Sequence, residues 1–233
     1  MLIAFEQQYN GSSFPTRITT GTGGQYVLKM RGSGNGAVSL LSEYVINKMA
    51  ARIGWQVPDV EWVVIPDQFP WVFGTDEFDD IVQKSYGLNL GIAYLPDALP
   101  VSKGEIPALR QETLNQMYSL DLFFINTDRT AAACNLLKTP QGGEWIIDHG
   151  STGFFHRIRL TGTALFPTHF LLQHTGGPTP QYDDRLHDEG LFGEVLSLVP
   201  DDLLTEAGHT REELHGLFRT RVSALSEITE SMI

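Results

Sequence analysis

The chain has 233 residues, 42% of them apolar, and a formal charge of −12 from 28 acidic and 16 basic residues. That length and apolar fraction build one large domain or two closely packed lobes and exclude a disordered chain. The acidic balance excludes a general nucleic-acid binder, whose affinity comes mostly from Lys and Arg, and the single cysteine, Cys134, excludes an internal disulfide and a Cys-based zinc site.

Met1-Leu-Ile-Ala-Phe-Glu6 lacks the basic start and long apolar run of a signal peptide, and no later stretch reaches the length of a membrane span. A cytoplasmic protein without membrane contact is expected. Residues 2–9 and 16–20 are short β-prone runs, and Gly21-Thr-Gly-Gly24 turns the chain into a third, Gln25 to Met30. Between the first two lies Asn10-Gly-Ser-Ser-Phe-Pro15, whose backbone N–H groups can lie over phosphates or simply turn a hairpin. Ser12 and Ser13 are accordingly phosphate contacts, modifiable hydroxyls or turn formers. Leu41, Val45, Met49 and Ile53 recur every four positions and Gly54 follows, which predicts a helix from Ala37 to Ile53 with a glycine cap. Val60 to Ile65 reads as a strand. Residues 66–84 are acidic and aromatic without a clear period, and Trp71, Phe73 and Phe78 in them read as hydrophobic core.

Tyr86 to Leu95 predicts a strand running into Pro96. The boundary between a β-rich N-lobe (1–95) and a helical C-lobe (96–233) falls near Tyr94 to Pro100. Beyond it, Leu114, Met117, Tyr118, Leu122 and Ile125 follow a helical period that ends at Asn126-Thr-Asp-Arg129. Two short strands, around Leu136-Leu137 and from Trp145 to Ile147, flank Thr139-Pro-Gln-Gly-Gly143. A C-terminal helix opens on a Thr210/Glu213 capping box and carries Leu214, Leu217, Val222 and Leu225 on one face. Strands with one helix, then helices with one hairpin, make the α+β pattern, and two lobes imply a cleft between them.

The hairpin permits a geometric argument. Asn135 and Asp148 are symmetric about a point between Gln141 and Gly142, so in an unbulged antiparallel pair their side chains are neighbours. An amide oxygen and a carboxylate suit Mg²⁺, which takes one or two protein oxygens and the rest from phosphate and water. The alternative is a pair that merely caps the hairpin ends. Asp128 lies seven residues before Asn135, in the loop between helix and hairpin where a catalytic aspartate would meet an acceptor hydroxyl, and Arg129 beside it suits a structural ion pair. Lys29, near the end of its strand, and Glu43, on the following helix, either hold an ammonium toward α- and β-phosphates or form an ordinary solvated pair. Arg31-Gly-Ser-Gly-Asn-Gly36 is glycine-rich but is not Gly-x-Gly-x-x-Gly, and no βαβ alternation follows, so it marks a mobile connection rather than a dinucleotide site. His149, His156, His169 and His174 have no zinc spacing, and Cys134 has no evident base, so packing or surface roles are assigned to them.

In their order along residues 10–156, these stretches resemble one family, the HipA-like kinases, distantly related to eukaryotic protein kinases and phosphoinositide kinases. The resemblance is carried by Tyr26-Val-Leu-Lys29, the helix with Glu43 ending Ile53-Gly-Trp-Gln-Val-Pro58, Gly87-Leu-Asn-Leu-Gly-Ile-Ala-Tyr-Leu-Pro96, Asn126-Thr-Asp-Arg-Thr130, Asn135-Leu-Leu137 and Ile146-Ile-Asp-His-Gly150. It implies a two-lobed protein-kinase-like fold in which Lys29 binds nucleotide phosphates, Glu43 orients it, and Tyr94 and Leu95 form an adenine-contacting hinge. It also implies Asp128 as the catalytic aspartate, Asn135 and Asp148 as metal ligands, and transfer from ATP with Mg²⁺ to a protein serine or threonine. Some members are toxins with a separate antitoxin partner. This chain is shorter than full-length HipA toxins and resembles their kinase core without the extra N-terminal module, so a toxin role and an antitoxin-like regulatory partner do not carry over automatically. Relatives often show Arg-Asn-Pro-Asn where this chain has Ala132-Ala133-Cys134-Asn135. Hairpin symmetry keeps Asn135 as the metal ligand, so an active kinase is expected over a nucleotide-binding pseudokinase acting as a partner-binding module. A small-molecule or lipid kinase would share the site and differ in its acceptor surface.

Overall fold

The computed structural model describes residues 1–9, 13–34, 36–67, 69, 75–130, 132–172 and 179–230. Strands β1 (Leu2–Gln8), β2 (Thr16–Thr20), β3 (Gln25–Lys29), β4 (Val60–Ile65) and β5 (Gly87–Ala93) form an antiparallel sheet in the order β1-β2-β3-β5-β4. Helix α1 (Gly36–Arg52) follows β3 and ends as its sequence requires. Gly54 has φ +82°, its N–H bonds to Ala51 O at 3.1 Å, and the Trp55 N–H bonds to Ala50 O at 2.9 Å, the paired closure that favours glycine at this position.

The aperiodic stretch contains a short helix, α2 (Asp76–Lys84), that the sequence reading leaves unassigned. Thr75 Oγ1 caps it by accepting from the Phe78 N–H at 3.3 Å, and three acids in its first turn suit the positive helix start. Its buried residues are Phe78 and Val82, one turn apart and too few to reveal a period. They close a small core on one face of the sheet with Leu2, Ile18, Leu28 and Val63. Trp71 and Phe73 lie outside the described residues.

The remaining elements are β6 (Leu99–Pro100), α3 (Gln111–Phe124), β7 (Leu136–Lys138), β8 (Glu144–Ile146), α4 (Glu189–Ser197), α5 (Asp201–Glu206) and α6 (Arg211–Glu230). β6 adds an unforeseen third strand to the β7–β8 hairpin, and α4 and α5 are also new. Half of the predicted capping box forms at α6: Thr210 Oγ1 accepts from the Glu213 N–H at 3.1 Å, while the Glu213 carboxylate turns to Arg157 at 2.5 Å. The larger core has α1 inside it, where Leu41, Val45 and Met49 join Val60 and Leu90 of the sheet to Phe123, Phe192 and Phe218 of α3, α4 and α6. Among the described residues no helix is long and apolar enough to cross a membrane.

The hairpin register corrects the symmetry argument by one residue. Leu136 pairs with Ile146, Leu137 with Trp145 and Lys138 with Glu144, so the turn centres on Gln141. The cause is the closure of the turn: the Thr139 N–H bonds to Gly143 O at 2.9 Å, and Gly142 takes φ +83°. Asn135 therefore stands opposite Ile147, whose N–H it accepts at 3.1 Å, and Asp148 lies one step beyond.

Candidate active site

Lys29 reaches out from the end of β3 and meets two carboxylates that lie far from it in sequence. Its Nζ is 3.2 Å from Glu43 Oε1 on α1 and 2.8 Å from Asp148 Oδ1 just past β8. Burial alone would lower the proton affinity of this ammonium, but Glu43 and Asp148 outweigh burial and hold it well above its ordinary value. Burial also pushes the Asp148 carboxyl up, and Lys29 reverses that and keeps it below its usual range. The completely buried Glu43 is pushed up by desolvation, which Lys29 only partly offsets. Asp148 is thus the firmly ionised carboxylate and Glu43 the expensive one.

Sequence distance is bridged by close approach of α1 to the segment after β8. Ser42 Oγ donates to His149 O at 2.5 Å and pairs with Thr152 Oγ1 at 2.7 Å, while Asn47 Nδ2 donates to Glu43 Oε2 at 3.0 Å. A Cβ on Gly150 would run into the Ser39 side chain, so glycine leaves room for α1 here. His149 is buried here, and burial together with Arg129 depresses its imidazole to about 3, which keeps it neutral.

A cleft of about 420 Å³ opens beside this cluster. Lys29 and Asp148 line it together with Val27 and Ile92 from the sheet and Leu137 and Ile147 from the hairpin, and Tyr94 and Leu95 border it where the chain passes between the two sheets. Four of the predicted residues, Lys29, Asp148, Tyr94 and Leu95, therefore share one apolar slot, with Glu43 behind Lys29. Ser13 is not part of its wall and lies instead beside Gly34 of the β3–α1 turn. Ser12 lies outside the described residues. The β3–α1 turn is packed rather than free, because the Arg31 N–H bonds to Asn89 Oδ1 and the Gly32 N–H to Ser85 Oγ, each at 2.8 Å.

Asp128 is exposed on the loop between α3 and β7, its N–H bonded to Asn126 Oδ1 at 3.0 Å. Arg129 does what a structural arginine should: buried, it stands 2.5 Å from Asp121 Oδ2 through Nε and donates to Cys134 O and Asn135 O at 2.8 Å and to Ile147 O at 3.2 Å. It thereby ties the Asp128 loop to both ends of the hairpin. Cys134 packs as expected, buried with its Sγ 3.1 Å from Val101 O. Sequence reasoning missed Asp121, whose second partner is the buried His169 at 2.8 Å. A signal existed, since Asp121 falls in phase with Leu114, Tyr118 and Ile125 on the apolar stripe of α3, where an acid must be paired.

Asn135 and Asp148 both take left-handed backbone, with φ +50° and +63°. Asn and Asp tolerate this best among residues with a Cβ, and such conformers gather at functional sites. Asn135 Nδ2 is buried without a partner, and the Asp148 side chain remains 38% exposed with one oxygen given to Lys29. Among the described residues no group of three or more His, Cys, Asp or Glu side chains is placed to hold a metal. An amide oxygen and a carboxylate are the donor types that Mg²⁺ takes, with phosphate and water supplying the rest.

A protein-family model described as HipA-like kinase matches residues 4–161. No curated protein matches the chain. Among solved structures the chain is similar to one described as the crystal structure of a Helicobacter pylori proinflammatory kinase, CtkA, with a TM-score of 0.54 and 11% identity over 100% of this chain and 95% of that one. Likeness at that identity speaks to fold, and the fold is the two-lobed protein-kinase-like α+β architecture.

Proposed function

The chain belongs to the HipA-like kinase family, a family of kinase-type phosphotransferases, and we propose that it transfers the γ-phosphoryl group of ATP, with Mg²⁺, to a serine or threonine of a protein. The observation that carries this reading is Lys29 joined to both Glu43 and Asp148 on the wall of the apolar cleft bordered by Tyr94 and Leu95. The cleft would divide an N-lobe of residues 1–95 from a C-lobe of residues 96–233. Lys29, kept charged by its carboxylates, would hold α- and β-phosphates. The hinge amides of Ala93 and Tyr94 are bonded to Asp59 O at 2.8 Å and Gln25 O at 3.0 Å, so the Leu95 amide is the one proposed to meet an adenine edge. Bound Mg²⁺ would neutralise phosphate charge, with Asp148 and Asn135 as its protein ligands. Asp128 would accept the proton of the acceptor hydroxyl.

A second reading, a nucleotide-binding module without transfer, is favoured by one observation: Ala132 and Ala133 are exposed beside the Asp128 loop and offer it no polar side chain. Two measurements separate the readings. ATP with Mg²⁺ should raise the melting temperature of the wild type but not of Asp148→Ala, by linkage of binding to folding. Labelled ATP should mark the chain or a lysate protein with wild type and at least about a hundredfold less with Asp128→Ala, the scale of a lost general base. A melting shift without transfer supports the second reading, and no shift removes both.

A further inference from the structure

The 28 acidic residues of this chain fall entirely outside residues 149–182, which carry Arg157, Arg159 and four histidines. This acid-free segment starts next to Asp148 and is bound to the Asp128 loop at two places. Thr152 bridges to Asn126, and the Gly153 and Phe154 N–H groups bond to Ile125 O at 2.8 Å and Phe124 O at 3.1 Å. Further on, His169 bridges to Thr130, and the Phe170 N–H bonds to Arg129 O at 3.3 Å. Between these anchors, residues 156–159 are exposed.

Among the described residues, Arg17, Arg31, Arg52, Arg110, Arg129, Arg157, Arg185, Arg211 and Arg219 each have a carboxylate within ion-pair distance. The other two arginines are Arg159 and Arg221. Arg221 is buried on α6, donates to Phe123 O at 2.7 Å and to Leu160 O at 2.9 Å, and so fixes the segment onto α3 while leaving its own charge unneutralised. Arg159 is exposed, with its carbonyl accepting from the Gly162 N–H at 2.8 Å and its guanidinium 6.0 Å from the centre of the Phe166 ring. Beside it Ile158 is 45% exposed.

We propose that Arg159, on the segment that follows Asp148, anchors the carboxylates of an acidic peptide segment of a protein substrate. This deepens the kinase reading above and rests on it for the peptide being a substrate. Lys84, Lys103 and Lys138 are also exposed without an ion pair among the described residues, but only the held, planar guanidinium of Arg159 offers a carboxylate two parallel N–H donors. One free exposed arginine and three scattered exposed lysines are too few for a polynucleotide or an anionic membrane, which need many clustered cations, whereas an arginine beside an exposed isoleucine suits a peptide with an acidic and an apolar side chain.

The test is direct binding, measured by fluorescence anisotropy, of a serine peptide flanked by Asp and Glu and of its Asn and Gln counterpart. Wild type should bind the acidic peptide about tenfold more tightly, the worth of one charge-assisted pair. Arg159→Glu should remove that preference, Arg159→Gln should reduce it, and Lys84→Glu, the same charge change on α2, should leave it intact, with melting temperatures confirming that each variant folds. Equal affinity of wild type for both peptides, no binding, or an equal loss in Lys84→Glu would overturn the inference. Tight acidic binding without phosphate transfer would instead count against the kinase reading and leave the acidic site standing.

Discussion

Glu43 is fully buried against the single ammonium of Lys29, an arrangement whose desolvation cost its Coulomb gain need not repay. The pair is therefore understood as a device for presenting Lys29 to the cleft rather than for stability, and this has consequences under mutation. Lys29→Met strands Glu43 and should cost about 3–5 kcal/mol of unfolding free energy. Lys29→Met combined with Glu43→Leu should recover most of that loss while phosphate transfer stays abolished. The pH dependence follows from Glu43, whose carboxyl is already pushed above the ordinary carboxylate range by burial and would rise further without Lys29. A carboxyl raised on folding contributes stability below its unfolded value and loses it as pH rises through the folded one. The deficit of Lys29→Met should accordingly be smallest near pH 4.5 and grow toward pH 8, as read by urea titration across that range. A deficit independent of pH, or a double variant no more stable than the single one, would contradict this account.

At the level of elements, the β3–α1 turn sits against the end of α2 with no room for a side chain. A Cβ on Gly32 would lie 2.6 Å from Ile81 O and 2.7 Å from Lys84 Cβ. Gly32→Ala should therefore push α2 away and cost about 1–3 kcal/mol, as overpacking does, and it should weaken nucleotide-induced stabilisation by displacing the end of β3 that carries Lys29. Thermal melts with and without ATP and Mg²⁺ check both effects. This contact also marks where the sequence stops being readable. The strands and α1 announce themselves through local chemistry, alternating β-branched residues and Gly54 at a cap. What presses on Gly32 is α2, whose two buried residues give no period to detect. The hairpin was legible as a hairpin, yet its register turned on the left-handed Gly142, so Asn135 faces Ile147 rather than Asp148. Lys29, Glu43 and Asp148 were each legible as candidates, but their meeting depends on α1 packing against the segment after β8, where Ser42 bonds to His149 O and Thr152 Oγ1. No local pattern encodes that contact.

For the whole molecule the decisive feature is that α1 lies inside the larger core rather than on a lobe surface. Its residues touch the sheet on one side and α3, α4 and α5 on the others, and even Ser42, Glu43 and Asn47 are buried. A helix so placed cannot swing away from Lys29 without exposing Leu41, Val45 and Met49 of the shared core. At about 25 cal/mol per Å² of apolar surface, exposing several such side chains costs several kcal/mol, comparable to the whole stability of a domain. Two halves that share one core should also unfold together. Calorimetry should give a single transition whose calorimetric and van't Hoff enthalpies agree, and a fragment of residues 1–95, which keeps α1 but loses the helices that cover it, should lack cooperative melting. Two resolved transitions, or a folded fragment, would mean that the halves are independent and that α1 is free to act as a switch. If the single transition holds, the Lys29–Glu43 pair is set by folding itself. Control of phosphate transfer would then have to act elsewhere, through occupancy of the cleft or access to the acid-free segment beyond Asp148.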